Sequence, residues 1–187
     1  MCGNVRNVHC DMLGAVGWTV FQRRQDGSVN FYRDYIDYID GFGSADGEYW
    51  LGLDNIHCLT TRSPKAVLLV DLADFEGNYK YARYSYFSVG NGDTGYRINI
   101  GGYSGTAGDA MNGGNEPVNG MSFTTRDHDA DVSDRNCAVL YKGDGGTNPV
   151  MMPTSMDSIS MDHIHPLLME STGNLLKVIT ILPSTRQ

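Results

Sequence analysis

Five consecutive residues, Asp127-His128-Asp129-Ala130-Asp131, carry the clearest chemistry in this 187-residue chain. Three carboxylates spaced two apart can converge from a loop on a hard cation, since Ca2+ takes about six to eight oxygen ligands at flexible geometry. An EF-hand is excluded, because Val132 stands where that loop needs glycine and Ala138 where it needs glutamate. Composition alone favours a solvated acidic turn. Two other patterns are weaker. Gly90-Asn91-Gly92-Asp93-Thr94-Gly95 spells G-x-G-x-x-G, but a dinucleotide fingerprint must run into a helix whose N-terminus holds pyrophosphate, whereas this one runs into an alternating strand pattern. It is expected to be a hairpin turn, with Asn-Gly and Asp supplying positive φ. Asp162-His163-Ile164-His165 resembles a metal cluster, yet two histidines at i and i+2 alone define no site. With no G-x-S-x-G elbow and no Cys/His pairing, catalysis has no anchor, and no enzyme is expected.

These residues must be held by a fold. With 41% hydrophobic residues the chain can bury one core, so one domain is expected. The net charge of -8 without a Lys/Arg cluster excludes a nucleic-acid partner and suits solubility or cation binding. No apolar run approaches the roughly 18–20 residues needed to span a bilayer, so no membrane partner is expected. The start, Met1-Cys2-Gly3-Asn4-Val5-Arg6, lacks the apolar core of a signal peptide. With 23 glycines and 11 tyrosines, the composition favours a turn-rich fold over a helical bundle.

Residues 1–143 read as α+β. Phe31, Tyr35 and Tyr38 recur at helical spacing over Phe31 to Asp40, with Ser28 or Asn30 as the cap and Gly41-Phe42-Gly43 as the stop. Leu53 to Thr60 fits a second short helix. Val67 to Leu72, Tyr79 to Val89 and Tyr96 to Ile100 carry the β-branched and aromatic residues of antiparallel strands, and Tyr96, Ile98 and Ile100 alternate with Arg97 and Asn99. The glycine-rich segments 101–108 and 112–120 are expected as loops.

The block Gly17-Trp18-Thr19-Val20-Phe21-Gln22-Arg23-Arg24-Gln25-Asp26-Gly27-Ser28-Val29-Asn30-Phe31-Tyr32 resembles the signature of fibrinogen-related domains. Further blocks agree in the same order: Gly41-Phe42-Gly43, Glu48-Tyr49-Trp50-Leu51-Gly52 with Asp54-Asn55-Ile56-His57, Gly101 through Asp109, and Asn136-Cys137-Ala138. The resemblance covers about residues 8–143. It implies a central twisted antiparallel sheet flanked by short helices and long glycine-rich loops, in a secreted module of the ficolin, tachylectin, angiopoietin, tenascin and fibrinogen type. Such modules bind carbohydrate, acetylated groups or protein receptors, and oligomerise through upstream segments. The resemblance also reverses the reading of the acidic run, because similar domains bind calcium with its second and third aspartates and two backbone carbonyls beyond. Those positions are Asp129 and Asp131, with the carbonyls of Ser133 and Arg135.

The resemblance further implies two disulfides, one from an upstream cysteine to the position of Cys10 and one from Cys137 to a cysteine about a dozen residues downstream. Neither partner is evident, so no pairing is assigned; Cys58, in the second helix, is expected as a packed or free thiol.

At Gly143–Asp144 the resemblance stops. The family continues with a tryptophan pair, a cysteine-histidine step and an asparagine-leucine-asparagine-glycine stretch, none of which is present. Met151-Met152-Pro153-Thr154-Ser155-Met156-Asp157-Ser158-Ile159, back-translated and read from the third base, permits Asp-Ala-Asn-Leu-Asn-Gly-Leu-Tyr, with aspartate, alanine and glycine forced by the single methionine codon. The expectation is that residues 144–187 are an out-of-frame reading of the domain's last third, poorly ordered or locally structured, arising from a mis-assigned gene, a frameshift or alternative splicing. Leu175 to Leu182 is apolar and β-prone, an aggregation hazard more than a designed strand. In similar domains the ligand pocket lies after the second cysteine, so it is expected to be absent here. Two readings stay open: a lectin-like recognition module with a calcium-stabilised loop, or a non-binding chain with only a structural or interaction role.

Overall fold

The computed structural model describes residues 6–13, 16–62, 65–73, 79–112, 118–131, 136–140 and 181–183. Residues 144–180, and with them most of the tail, lie outside the described residues. Among the described residues, three antiparallel three-stranded sheets carry the fold. The first joins β1 (Cys10–Leu13), β2 (Val16–Val20) and β9 (Ile181–Pro183), with β2 central. β9 runs antiparallel to β2, Trp18 opposite Pro183 and Val20 opposite Ile181, so the end of the Leu175 to Leu182 run is locally a strand. The second sheet places β5 (Tyr49–Trp50) between β3 (Gln22–Arg23) and β4 (Phe42–Gly43). The third orders β6 (Leu68–Ala73), β7 (Tyr79–Val89) and β8 (Ile98–Gly105).

Aromatic rings between Phe21 and Phe123 pack between these sheets. Phe21, fully buried, stacks on Phe87 at 5.8 Å and meets the edge of Trp50 at 5.8 Å. Trp50 continues to Tyr38 at 5.6 Å and Phe123 at 6.2 Å, and Tyr38 to Phe42 at 5.2 Å. The offset and edge-on arrangements are those the ring quadrupole favours.

α1 spans Tyr35–Asp40, shorter than the expected Phe31 to Asp40. Local bonds take the backbone first: Asn30 Oδ1 accepts from Tyr32 N at 2.8 Å and the Phe31 carbonyl from Arg33 N at 2.9 Å. The cap position is Asp34, not Ser28 or Asn30, and its side chain makes no capping bond. Gly41, at φ 90°, ends the helix by donating its N–H to Asp37 O at 2.8 Å. α2 spans Leu53–Arg62 and buries Leu53, Ile56 and Thr60 along one face. Cys58 on this helix is disulfide-bonded, which corrects the expectation of a packed or free thiol. The expectation came from family spacing along the chain, whereas a bridge is decided by proximity in space. Cys10 is free and exposed; Cys2 and the Cys137 side chain lie outside the described residues.

The 101–108 segment is corrected from loop to strand through Gly105. Glycine permits it, because a Cβ on Gly102 would sit 2.0 Å from Ser85 Oγ on the neighbouring strand. Gly90–Gly95 does turn β7 into β8, through one 3-10 turn at Gly92–Thr94. The positive φ comes from Gly95 (64°) and Tyr96 (50°); Asn91 is extended and uses its side-chain oxygen to accept from Thr94 N. Gly43 has φ 81° and a Cβ position 2.3 Å from Glu48 O, a backbone atom of the residue that precedes β5. Gly43→Ala is expected to cost about 2–4 kcal/mol, from left-handed strain plus backbone overlap, measured as a fall in the urea midpoint.

Candidate functional site

The acidic run begins where the core ends. Phe123, Thr124 and Thr125 are buried, and Phe123 packs on Tyr38 and Trp50. Thr125 and His128 then close a two-bond antiparallel bridge, N to O at 2.9 and 3.2 Å, forming a tight turn around Arg126 and Asp127. Thr124 Oγ1 accepts from Ala130 N at 3.2 Å, and Asn136 Nδ2 donates to Thr125 O at 3.0 Å. Asn136 also accepts from Val139 N, tying the turn to α3 (Cys137–Leu140).

Within this frame the three aspartates divide. Asp127 Oδ1 accepts from Thr125 Oγ1 at 2.7 Å and from Tyr35 N, across the domain, at 2.9 Å. Burial alone would raise its carboxyl, but these donors outweigh it and hold the group below the usual carboxylate range. Asp129 shifts the other way. Burial, then a side-chain hydrogen bond with Asp131, raises its carboxyl, as when two carboxylates are forced together. Asp131 N lies 3.4 Å from Asp129 Oδ1. Asp127 is committed to α1, which leaves Asp129 and Asp131, the two carboxylates that the resemblance implies as ligands; among the described residues no three His, Cys, Asp or Glu groups converge. Asp129 and Asp131 fit the anionic side of a hard-cation site, since mutual repulsion is what a divalent ion relieves. Ser133 and Arg135, whose carbonyls would complete the set, lie outside the described residues, as do Asp162, His163 and His165.

Sequence reasoning missed the residues that hold this loop. Arg126 Nε donates to Asp34 Oδ1 at 2.6 Å and its guanidinium lies 4.8 Å from the Tyr32 ring centroid. The His128 ring stacks on Tyr35 at 4.0 Å. Tyr35 in turn reaches Tyr96 at 6.3 Å, whose hydroxyl donates to Asp54 Oδ1 at 2.6 Å. Burial and then this carboxylate push the Tyr96 phenol well above its ordinary value, so it stays a neutral donor. Nothing in the spacing of Asp34 or Tyr35 announces a partner 92 residues away. Glu48, whose carboxylate accepts from backbone N–H groups of a different loop, residues 25–29, carries a signal in the sequence, a carboxylate opening the apolar run Tyr49-Trp50-Leu51.

The result is an α+β arrangement of small antiparallel sheets in which, among the described residues, an acidic loop packs on a short helix. The chain matches the family described as fibrinogen beta and gamma chains, C-terminal globular domain, over residues 3–148, and belongs to it. It is 51% identical over 142 residues to the human fibrinogen C domain-containing protein 1, a match covering 73% of this chain and 30% of that protein. Ryncolin-4 of Cerberus rynchops is 49% identical over 138 residues, covering 73% of this chain and 39% of the relative. The chain thus spans well under half the length of these relatives. Among solved structures, the fibrinogen-like globe domain of human ANGPTL2 aligns at 45% identity and a TM-score of 0.67, covering 74% of this chain and 62% of that one. Lamprey fibrin D-dimer, complexed with the peptide Gly-His-Arg-Pro-amide, aligns at 28% identity and 0.73 over 96% of this chain and 65% of its own.

Proposed function

We propose that this chain is an extracellular recognition domain of lectin-like type, whose acidic loop is stabilised by Ca2+ and whose ligand is a carbohydrate, an acetylated group or a protein receptor. The observation that carries this reading is the Asp129–Asp131 pair. Two aspartates two residues apart, with Asp131 N 3.4 Å from Asp129 Oδ1 on a loop tied to the core, can offer carboxylate oxygens to one hard cation. The ion would be held by these carboxylates and would supply charge neutralisation and loop rigidity, not chemistry. The kinship supports binding over catalysis, since one structural relative holds a peptide ligand. Secretion is part of the same proposal.

The expected result is that the folded chain is retained on N-acetylated resin in millimolar Ca2+ and released by EDTA. Folded protein that passes through in both conditions removes the lectin-like reading and leaves the second one, a domain with structural or interaction roles only. That alternative is favoured by one observation: the family match ends at residue 148, before the stretch where the resemblance would put the ligand pocket. The proposed out-of-frame origin of residues 144–187 accounts for that end, and a transcript read across codons 140–150 reports the frame.

A further inference from the structure

The three residues preceding the Asp129–Asp131 pair all reach the same two residues of the first helix. Arg126 bonds the Asp34 carboxylate, Asp127 accepts from Tyr35 N, and the His128 ring stacks on the Tyr35 ring. α1 begins at Tyr35, and Asp34, its own cap residue, makes no side-chain capping bond because its carboxylate faces Arg126. Asp127 supplies the missing acceptor. The orphaned first N–H of the helix is thus satisfied by the loop, and the loop is fixed by the helix.

We infer that Asp127 is a positioning residue for the cation loop and not a cation ligand, and that Asp34–Tyr35 is the anchor that sets the loop's affinity for Ca2+. The inference rests on the calcium reading above. Both oxygens of a ligand need not be free, but Asp127 Oδ1 already accepts from Thr125 Oγ1 and from the Tyr35 backbone N–H, which has no other partner among the described residues. Moving that carboxylate to an ion would uncap α1. Its use as a clamp also explains how the turn is held close to Asp129 while the bridge at Thr125 and His128 fixes the turn's width. Outer groups of this kind orient ligands without touching the metal, and their loss typically weakens metal affinity by about 10–100-fold.

The discriminating experiment is calcium titration calorimetry on the full chain and four variants, with the melting temperature of each recorded in EDTA. Asp129→Asn is expected to abolish binding. Asp127→Ala is expected to weaken it about tenfold. Asp127→Asn, which keeps an oxygen acceptor for Tyr35 N and Thr125 Oγ1 but loses the charge, is expected to recover affinity to within about threefold of the parent. Asp34→Ala, at a partly exposed ion pair whose loss is expected to change stability little, is expected to weaken binding about two- to fivefold, and it keeps the test intact if Asp127→Ala fails to fold. An Asp127→Asn variant as defective as Asp129→Asn makes Asp127 a ligand and overturns the inference. So does unchanged affinity in Asp127→Ala or, where that variant is unfolded, in Asp34→Ala, including the case in which only the melting temperature falls. If the parent chain binds no Ca2+, or binds it equally well as Asp129→Asn, the calcium reading itself fails and the inference falls with it.

Discussion

Glu48→Ala is expected to lower the unfolding free energy by about 3–5 kcal/mol, the range for removing one partner of a buried charged pair. Glu48 is 1% exposed and serves as a hub for the 25–29 loop. Its Oε1 accepts from Gln25 N at 2.7 Å, Asp26 N at 3.1 Å and Gly27 N at 3.0 Å, and its Oε2 from Val29 N at 2.9 Å. Arg24 Nη1 lies 3.7 Å from Oε2 and donates to Val29 O at 3.0 Å, while its guanidinium covers the Phe31 ring at 4.0 Å. Alanine would strand four backbone donors and a guanidinium that is itself 4% exposed. Glu48→Gln keeps one oxygen for the three Oε1 bonds but turns an amide donor towards Val29 N, so a cost of about 1–3 kcal/mol is expected. Both are read from urea melts at pH 7.

The pH dependence has a definite sign. Burial pushes the Glu48 carboxyl up, but the four backbone N–H bonds more than offset this and hold it below its ordinary value of 4.5. A depressed carboxyl stabilises the fold fully above the unfolded value and loses that contribution as pH falls through the folded one. The parent should therefore keep its margin over Glu48→Gln from pH 7 to about 5, and lose it progressively below pH 4.5. A margin that grows on acidification would contradict this.

Trp50→Ala is expected to cost about 3–5 kcal/mol, the range for truncating a buried tryptophan. Trp50 is 2% exposed, contacts Phe21, Tyr38 and Phe123, and donates its indole N–H to Tyr38 O at 2.8 Å. It pairs with Gln22 on one side and Phe42 on the other, so its loss opens the middle of the second sheet. Trp50→Phe keeps most of the ring volume but loses the indole N–H bond to Tyr38 O, and about 1–3 kcal/mol is expected. A denaturant midpoint unchanged in Trp50→Ala would show that the aromatic network is not what joins the sheets. Phe123 stands immediately before Thr124 and Thr125, so the same packing sets where the acidic loop leaves the core.

Much of the fold was legible before any coordinates. β7 was placed to the residue, and β6 and α2 within two residues of one end or both, because their burial patterns are local and periodic. α1 was drawn too long because Asn30 and Phe31 spend their polar groups on turns that hydrophobic spacing does not reveal. The strand through Gly101–Gly105 is hidden because glycine carries no pattern; only its pairing along Ala82–Tyr86 declares it.

The amino-acid sequence by itself determined the family, the antiparallel α+β class and the acidic run, since each rests on residue types in fixed order along the chain. Only the tertiary structure decided which aspartates face one another, which one caps a helix 92 residues earlier, that Cys58 is bridged, and that Glu48 organises a loop 19–23 residues away. The physical reason is common to all four. A polar group's partner is chosen by what burial brings within about 3 Å of it, and that distance is set by the packed core and not by separation along the chain.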